Sequence, residues 1–140
     1  MLARARALKE KEELQKREDD SIQFEMIKAG DATHYPKRYD SCAIHYTARL
    51  EDGTMIDNSY KRSQPTYFVL GNGTVIKGFD KVLMAGHVSK GQIIRLTLPF
   101  DLAYGEKGYP PVIPPKATVV FELELISFSS EGHPERIPIR

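Results

Sequence analysis

The alternation of apolar and polar residues after Ser21 is the feature that most constrains the fold of this chain. Five segments show it: IQFEMI, SCAIHYTARL, TYFVL, IIRLTLPF and TVVFELELISF. Because successive side chains of a strand point to opposite faces, a period of two predicts strands with one buried face. In the second segment, Cys42, Ile44 and Tyr46 share one face. The sequence therefore predicts an antiparallel sheet that is covered on one side.

One helix is predicted within this region, in the segment TVIKGFDKVLMAG. Val75, Phe79 and Val82 recur there at helical spacing, and Gly86 is a natural C-terminal stop. The apolar face of this helix must pack on the sheet. The Asp-Gly pair in EDGT, residues 51–54, predicts a turn between two strands.

The first twenty residues form a separate, charged segment that predicts an exposed helical extension, residues 1–20. It is rich in strong helix formers, and Glu12 and Lys16 have the spacing that supports an exposed helix. Its leucines form no continuous stripe, which favours a solvated helix. The alternative is a helix that binds a protein partner.

The end of the chain, SSEGHPERIPIR, has no periodicity and contains two prolines. We expect a flexible C-terminal tail over residues 129–140. The globular domain is accordingly predicted to span residues 21–128.

Composition excludes several classes of function. The chain has 140 residues and a hydrophobic fraction of 41%, which suits one domain with a single core. Its formal net charge of +1, without a basic stripe in the domain, argues against nucleic acid as a partner. Its single cysteine, Cys42, rules out an internal disulfide, and its four histidines lack metal-ligand spacing. We therefore expect neither a metal nor a cofactor.

The same features favour a cytoplasmic location. A chain with one cysteine fits a reducing compartment, and no apolar run reaches the roughly 20 residues that a bilayer requires. The opening MLARARAL has a weak likeness to a transit peptide, but an acidic stretch follows it directly. No membrane association is expected.

The segment YGEKGYPPVIPP, residues 104–115, contains four of the nine prolines of the chain. Proline fixes its own φ and restricts the residue before it, so this segment predicts a rigid loop. Its PVIP also matches the minimal pattern of ligands for SH3 domains, which is short and common by chance. A second tempting motif, GNGTVIKG, fails as a phosphate loop because Phe79 follows its last glycine.

Two tyrosines distinguish the predicted core from an ordinary one. Tyr46 falls on a core-facing strand position, and Tyr104 falls beside the prolines of the rigid loop. A buried phenol needs a hydrogen-bond partner, so each marks a place where polar groups enter an apolar cavity. Asp57 is the nearest acidic candidate, and the alternative for it is an Asx-turn at the end of a strand. For Phe68 and Phe121, taken alone, ordinary core packing is the simpler interpretation.

These residues occur together in a known family. YPKRYDSCAIHYTARLEDGTMIDNS, VIKGFDKVL, GQIIRLTLP and AYGEKGYPPVIPPKATVVFELEL resemble the FKBP-type peptidyl-prolyl cis/trans isomerases, the immunophilins that bind the macrolides tacrolimus and rapamycin. The resemblance covers about residues 21–128. It implies an α+β fold in which a twisted antiparallel sheet wraps one short α-helix, with the charged N-terminal helix outside it. An apolar pocket would lie between helix and sheet, beneath the proline-rich loop.

The resemblance also implies a set of site residues. The implied pocket consists of Tyr46, Ile56, Asp57, Phe68, Val75, Ile76, Phe79, Tyr104, Tyr109, Ile113 and Phe121. The implied catalytic residues are Tyr46, Asp57, Tyr104 and Phe121. In ligand complexes of the family, the backbone N–H of Ile76 and the hydroxyl of Tyr104 donate hydrogen bonds to ligand carbonyls, and Asp57 accepts one.

Three positions depart from the usual pattern of the family. Phe79 stands where many members have a tryptophan, Ile56 where an aromatic residue is common, and Thr66 where a phenylalanine often flanks the rim. The implied pocket is therefore apolar and slightly roomier.

The function implied is rotation about Xaa-Pro bonds of proline-containing peptides and proteins, in protein folding, with inhibition by tacrolimus and rapamycin. It requires no metal or cofactor, and a cytoplasmic monomer is expected. The alternative is a weakly active or inactive FKBP-type binding module that docks a protein partner.

Overall fold

The computed structural model describes residues 2 to 130, and for Gln15 the backbone alone. Its helices are α1 (Leu2–Ser21) and α2 (Lys77–Met84). Its strands are β1 (Gln23–Lys28), β2 (Ser41–Leu50), β3 (Met55–Asn58), β4 (Thr66–Val69), β5 (Ile93–Leu98) and β6 (Val119–Ser129). Two short 3-10 helices, Ser59–Lys61 and Phe100–Leu102, complete the described elements.

The six strands form one antiparallel sheet in the order β1-β5-β6-β2-β3, and β4 pairs with β2 beside β3. The two longest strands, β2 and β6, lie at the centre. Their pairing runs from Ser41 opposite Ser129 to Leu50 opposite Val119. Apolar residues of these strands and of α2 make one buried core. The predicted α+β fold with an N-terminal helix is confirmed.

Helix α2 lies very close to the sheet, and a glycine makes this possible. Phe79 and Val82 are buried on its inner face, as their spacing predicts, together with Leu83. Val75, which the sequence placed in the same helix, lies before its first residue and is half-buried. Gly78, in the first turn, is also buried, and a Cβ added there would collide with the side chain of Leu98 in β5. The absence of a side chain at this position therefore sets the distance between helix and sheet.

The loop before α2 is fixed by the buried carboxylate of Asp80. Its two oxygens accept hydrogen bonds from the backbone N–H groups of Gly71, at 2.9 Å, and Gly73, at 3.2 Å. Both glycines have positive φ, a conformation that side chains other than glycine's disfavour. Asp80 thus ties the loop to the helix and fixes where the helix begins.

Helix α1 is exposed along its described length except at Glu18, which is half-buried, and its last turn contacts α2. The carboxylate of Glu18 lies 2.6 Å from the ammonium of Lys77 and 3.4 Å from that of Lys81. Asp19 lies 3.4 Å from Lys81 as well. The hydrogen bond from Lys77, followed by the charges of the two lysines, lowers the pKa of Glu18 against the effect of its burial. No local sequence pattern indicates this contact.

The boundaries predicted for the extension and the domain, at residues 20 and 128, stay predictions. A flexible tail was expected over residues 129–140. Ser129 is instead the last residue of β6, and residues 131–140 lie outside the described part of the chain. Neither helix of residues 2–130 combines the length and the apolar character that a membrane span needs.

We predict that Gly78→Ala destabilises the protein by about 1–3 kcal/mol, because the new methyl group forces Leu98 out of its packed position. Alanine in a helix is otherwise favoured over glycine by about 1 kcal/mol, so the sign of the change is informative. Urea unfolding of both proteins measures it. A more stable variant would contradict the close approach of α2 to β5.

Candidate functional site

Three aromatic side chains from different elements meet around a fourth, Phe121, which is fully buried in β6. The ring centroid of Phe79, in α2, lies 4.8 Å from that of Phe121 with an edge-to-face angle of 78°. Tyr46 of β2 lies 6.4 Å from Phe121 and 5.7 Å from Phe79. Tyr104, in the loop after the second 3-10 helix, lies 6.3 Å from Phe121. The sheet, the helix and the loop thus contribute to one apolar cluster with two phenol groups.

Asp57 is the acceptor at the polar end of this cluster. The Tyr46 hydroxyl donates to its Oδ2 over 2.6 Å, and the Arg62 guanidinium donates to its Oδ1 over 3.0 Å. Arg62 also lies over the ring of Tyr46, with 5.9 Å between the guanidinium carbon and the ring centroid. A cation, a phenol and a carboxylate therefore hold one another in place.

The protonation states of these groups follow from their surroundings. Burial opposes ionisation of Asp57, but the hydrogen bonds from Tyr46 and Arg62 outweigh it and lower the pKa of this carboxyl. Burial, and then the hydrogen bond to Asp57, raises the pKa of Tyr46 to about 12. Burial also raises the pKa of Tyr104. At neutral pH the site holds one carboxylate and two protonated phenols.

The local fold explains how Arg62 reaches Asp57. The side chain of Asn58 accepts a hydrogen bond from the backbone N–H of Tyr60, at 2.9 Å, and so caps the 3-10 helix Ser59–Lys61. The hydroxyl of Ser59 is buried and accepts from the backbone N–H of Tyr46, at 2.7 Å. This short helix turns the chain back toward β2, so that the residue after it faces Asp57.

Arg62 was not among the site residues predicted from the sequence. Its only signal is a basic residue five positions after an acidic one, a spacing too common to single out. The hydrogen bond of an Asx-turn, to the N–H two residues on, is made by Asn58 to Tyr60. Asp57 instead accepts at Oδ1 from the adjacent N–H of Asn58, at 2.8 Å. The Asp57 carboxylate therefore accepts one hydrogen bond from the neighbouring backbone and two from the side chains of Tyr46 and Arg62.

The remaining residues implied by the resemblance differ in how closely they approach the cluster. Ile56, Val75 and Ile76 are half-buried and pack against the core, and Phe68 is buried in it. Ile76 directly precedes α2, where the first N–H groups of a helix have no partner within the helix.

The proline-rich loop places only part of its apolar side chains inward. Ile113 is buried, whereas Tyr109 is 74% exposed. The two residues exchange backbone hydrogen bonds of 2.8 and 2.9 Å, which close the tip of the loop. Tyr109 thus projects from the loop rather than into the core.

Comparisons with known proteins show which proteins this chain is similar to in sequence and fold. The model of the family described as FKBP-type peptidyl-prolyl cis-trans isomerase matches residues 32–126. FK506-binding protein 1 of Rhizopus delemar is 41% identical over 108 residues, which are 77% of this chain and 98% of that protein. The crystal structure of FkpA from Escherichia coli superposes with a TM-score of 0.67 at 37% identity. That match covers 77% of this chain and 48% of FkpA, about half of its length.

We predict that Tyr46→Phe raises the pKa of Asp57, because the carboxylate loses the donor at 2.6 Å. Because the pKa of Asp57 is lowered in the folded protein, the stabilisation from this network is present above the ordinary pKa of 3.8 and is lost as the pH falls through the folded value. Carbon-13 NMR titration of the side-chain carboxyls measures the shift. Asp52, whose pKa is lowered by Thr54 in the turn 51–54, is the internal control and stays unchanged. An unchanged pKa at Asp57 would refute the coupling.

Proposed function

Because this chain belongs to the family of FKBP-type peptidyl-prolyl cis-trans isomerases, we propose that the aromatic cluster around Phe121 binds the proline of an Xaa-Pro bond. The observation that carries the proposal is the meeting of Tyr46, Phe79 and Tyr104 on Phe121 with a carboxylate beside them. A proline ring is apolar and its amide is polar, and the cluster offers both environments side by side.

The reaction is a rotation, so it needs positioning rather than bond-making groups. Rotation about a peptide bond must break amide resonance, at a barrier of about 18–20 kcal/mol. The planar amide is charge-separated and is solvated by water, whereas the twisted amide is less so. A site that takes the amide out of water therefore favours the twisted form relative to the planar one. Each roughly 1.4 kcal/mol of such differential binding gives a tenfold rate.

We assign the polar groups to holding the carbonyl groups of the substrate. Ile76 is the N-cap residue of α2, so its N–H lies near the positive end of the helix dipole, which favours an acceptor. Tyr104 remains protonated because its pKa is raised, so its hydroxyl is a donor at neutral pH. Asp57, held as a carboxylate by Arg62, is the acceptor. Phe68, Ile113 and the aromatic cluster supply the apolar enclosure.

The same pocket is proposed to bind tacrolimus and rapamycin, which then inhibit the isomerase. The relative from Rhizopus is named for binding FK506, which is tacrolimus, and this chain aligns with 98% of it. Ile56 and Thr66 offer no aromatic ring at the rim of the pocket. We therefore expect weaker macrolide binding than an aromatic rim would give.

The setting that fits these properties is protein folding in the cytoplasm, with unfolded or flexible proline-containing chains as substrates. The one competing function is a binding module that keeps the pocket and lacks turnover. Ile56 and Thr66, which depart from the usual pattern of the family, favour this alternative, because they alter the rim and leave the polar groups unchanged. The exposed surface of α1 is available to a protein partner in either case.

We predict that Asp57→Val and Tyr104→Phe each lower kcat/KM for a short Xaa-Pro peptide, because each removes one polar contact to the substrate. NMR exchange spectroscopy of the peptide measures turnover without a coupled protease. Asp52→Val, at the exposed turn, is the matched control and keeps wild-type activity. Saturable peptide binding without exchange in the wild type would support the binding module instead.

We also predict that restoring aromatic residues tightens macrolide binding. Each aromatic contact is worth about 0.5–1.5 kcal/mol beyond its buried area, so Ile56→Phe with Thr66→Phe gains roughly ten- to a hundredfold in affinity for tacrolimus. Titration calorimetry measures it. Tyr67→Phe, at the neighbouring exposed position of β4, is the control and changes nothing. No heat with either protein at high micromolar ligand would refute the macrolide site, while unchanged affinity in the double variant would refute the rim explanation.

A further inference from the structure

Strand β1 is an edge of the sheet that the rest of the described chain does not cover. Within residues 2–130 it pairs with β5 alone, so the backbone groups along its other side face away from the sheet. All six of its residues, Gln23–Lys28, are exposed. Helix α1 leaves this edge open, because the contacts described for its side chains outside the helix run from its last turn to α2.

An apolar surface adjoins this edge. Phe24 and Met26 pair with Leu96 and Ile94 of β5, which are buried, so both side chains lie on the core-facing side of the sheet. They extend beyond the sheet area that α2 covers and are 42% and 55% exposed. Contiguous exposed apolar side chains beside an open strand edge are typical of an interface.

A cavity of about 420 Å³ continues this surface toward the helix. Ile22 and Phe24 line it on the side of β1, and Val82, Met84 and Ala85 line it on the side of α2. Its polar lining residues are Asp19, Lys81 and His87. It lies away from the cluster around Phe121, whose residues do not line it. The site proposed for the isomerase therefore leaves this cavity unused.

We propose that a second copy of this chain covers the edge, with the two β1 strands paired antiparallel about a two-fold axis at Phe24. The sheets of the two copies then join into one, and main-chain hydrogen bonds form along both edges. This assembly departs from the monomer expected from the sequence. The side chains of β1 determine the register of the strand pair.

The register follows from which residues face each other. With Phe24 on the axis, Phe24 lies opposite its own copy, Ile22 opposite Met26, and Gln23 opposite Glu25. The three apolar residues of each strand then meet on the cavity side. On the other side, a carboxylate faces an amide that can donate to it.

The neighbouring registers are less favourable. An axis at Gln23 places the apolar Met26 opposite the carboxylate of Asp20. An axis at Glu25 places two carboxylates directly opposite each other, which is destabilising in a strand pair. An axis at Met26 places Phe24 opposite Lys28 and Glu25 opposite Ile27, and it crosses the bulge at Ile27. The alternation of residues in β1 therefore favours the axis at Phe24.

Charge supports the same arrangement. In this register Lys28 of each copy approaches Asp20, at the end of α1 in the other copy. Glu18 and Asp19 beside it already pair with lysines of α2 in their own chain. Glu25 is already balanced by Arg95 of its own chain, at 3.1 Å. The pairing thus adds a favourable contact at each end and leaves the central carboxylate compensated.

The first test is the mass of the full chain in solution. Sedimentation equilibrium at increasing concentration is expected to give twice the mass of one chain, and Phe24→Glu to weaken association at least tenfold by placing two carboxylates on the axis. Tyr67→Glu, at an exposed aromatic position of β4, is the matched control and retains the dimer. The catalytic cluster lies outside the interface, so Phe24→Glu keeps wild-type kcat/KM and thereby reports that it is folded.

The second test fixes the register by single cysteines at residues 24, 25 and 26. Directly opposite residues have Cα atoms about 4.5–5.5 Å apart, within the range that a disulfide spans, whereas one register step moves them out of it. The native Cys42 does not interfere, because it is buried and burial raises its pKa to about 12. Under mild oxidation we expect Phe24→Cys to cross-link far faster than Glu25→Cys or Met26→Cys.

Each other outcome overturns the proposal. A chain that stays monomeric at hundreds of micromolar removes the second copy as the occupant, even if an unrelated extended peptide binds the edge. Faster cross-linking at position 25 or 26 shows a different register. A dimer that survives Phe24→Glu shows an interface elsewhere. None of these results bears on isomerase activity, which the peptide exchange assay measures separately.

Discussion

The edge-to-face packing of Phe79 on Phe121 is the contact on which the rest of the structure depends. It joins the internal helix to the centre of the sheet, with ring centroids 4.8 Å apart. Such a pair contributes about 0.5–1.5 kcal/mol beyond its buried area, but its larger effect is geometric. The ring of Phe121 also faces Tyr46 and Tyr104, so its position decides where both phenols lie. Displacing the helix would therefore disturb the core and the site together.

The polar half of the site depends on this apolar half. A carboxylate in a partly buried position is destabilised by the loss of water and needs compensating donors. Tyr46 and Arg62 provide them, and Tyr46 can do so because its ring is held between Phe79 and Phe121 while its hydroxyl reaches the edge of the cluster. The apolar packing thus orients a polar group, and that group keeps Asp57 ionised.

The sequence predicted the parts of the fold that follow from periodicity. The alternation in residues 41–50 predicted β2, and the spacing of Phe79 and Val82 predicted α2, because burial on one face imposes a period. It did not predict the contact of Glu18 with Lys77, since an ion pair between distant segments leaves no local pattern. Arg62 was missed for a different reason: it lies only five residues after Asp57, and the 3-10 helix that brings it back has a cap at Asn58 as its sequence signal. The site residues that the resemblance supplied could not be obtained from periodicity, because a pocket is a property of three elements at once.

Several of these contacts meet at the start of α2. Three contacts fix it: Gly78 lies against β5, Asp80 binds the preceding loop, and Lys77 binds Glu18 of α1. A reaction that consists only of rotation depends on where donors and apolar walls stand, to within a fraction of an ångström, because no covalent step can compensate for a misplaced group. The backbone N–H of Ile76 lies one residue before this fixed point. Since Lys77 also anchors the last turn of α1, the extension is mechanically connected to the proposed substrate site, although its own surface lies outside it.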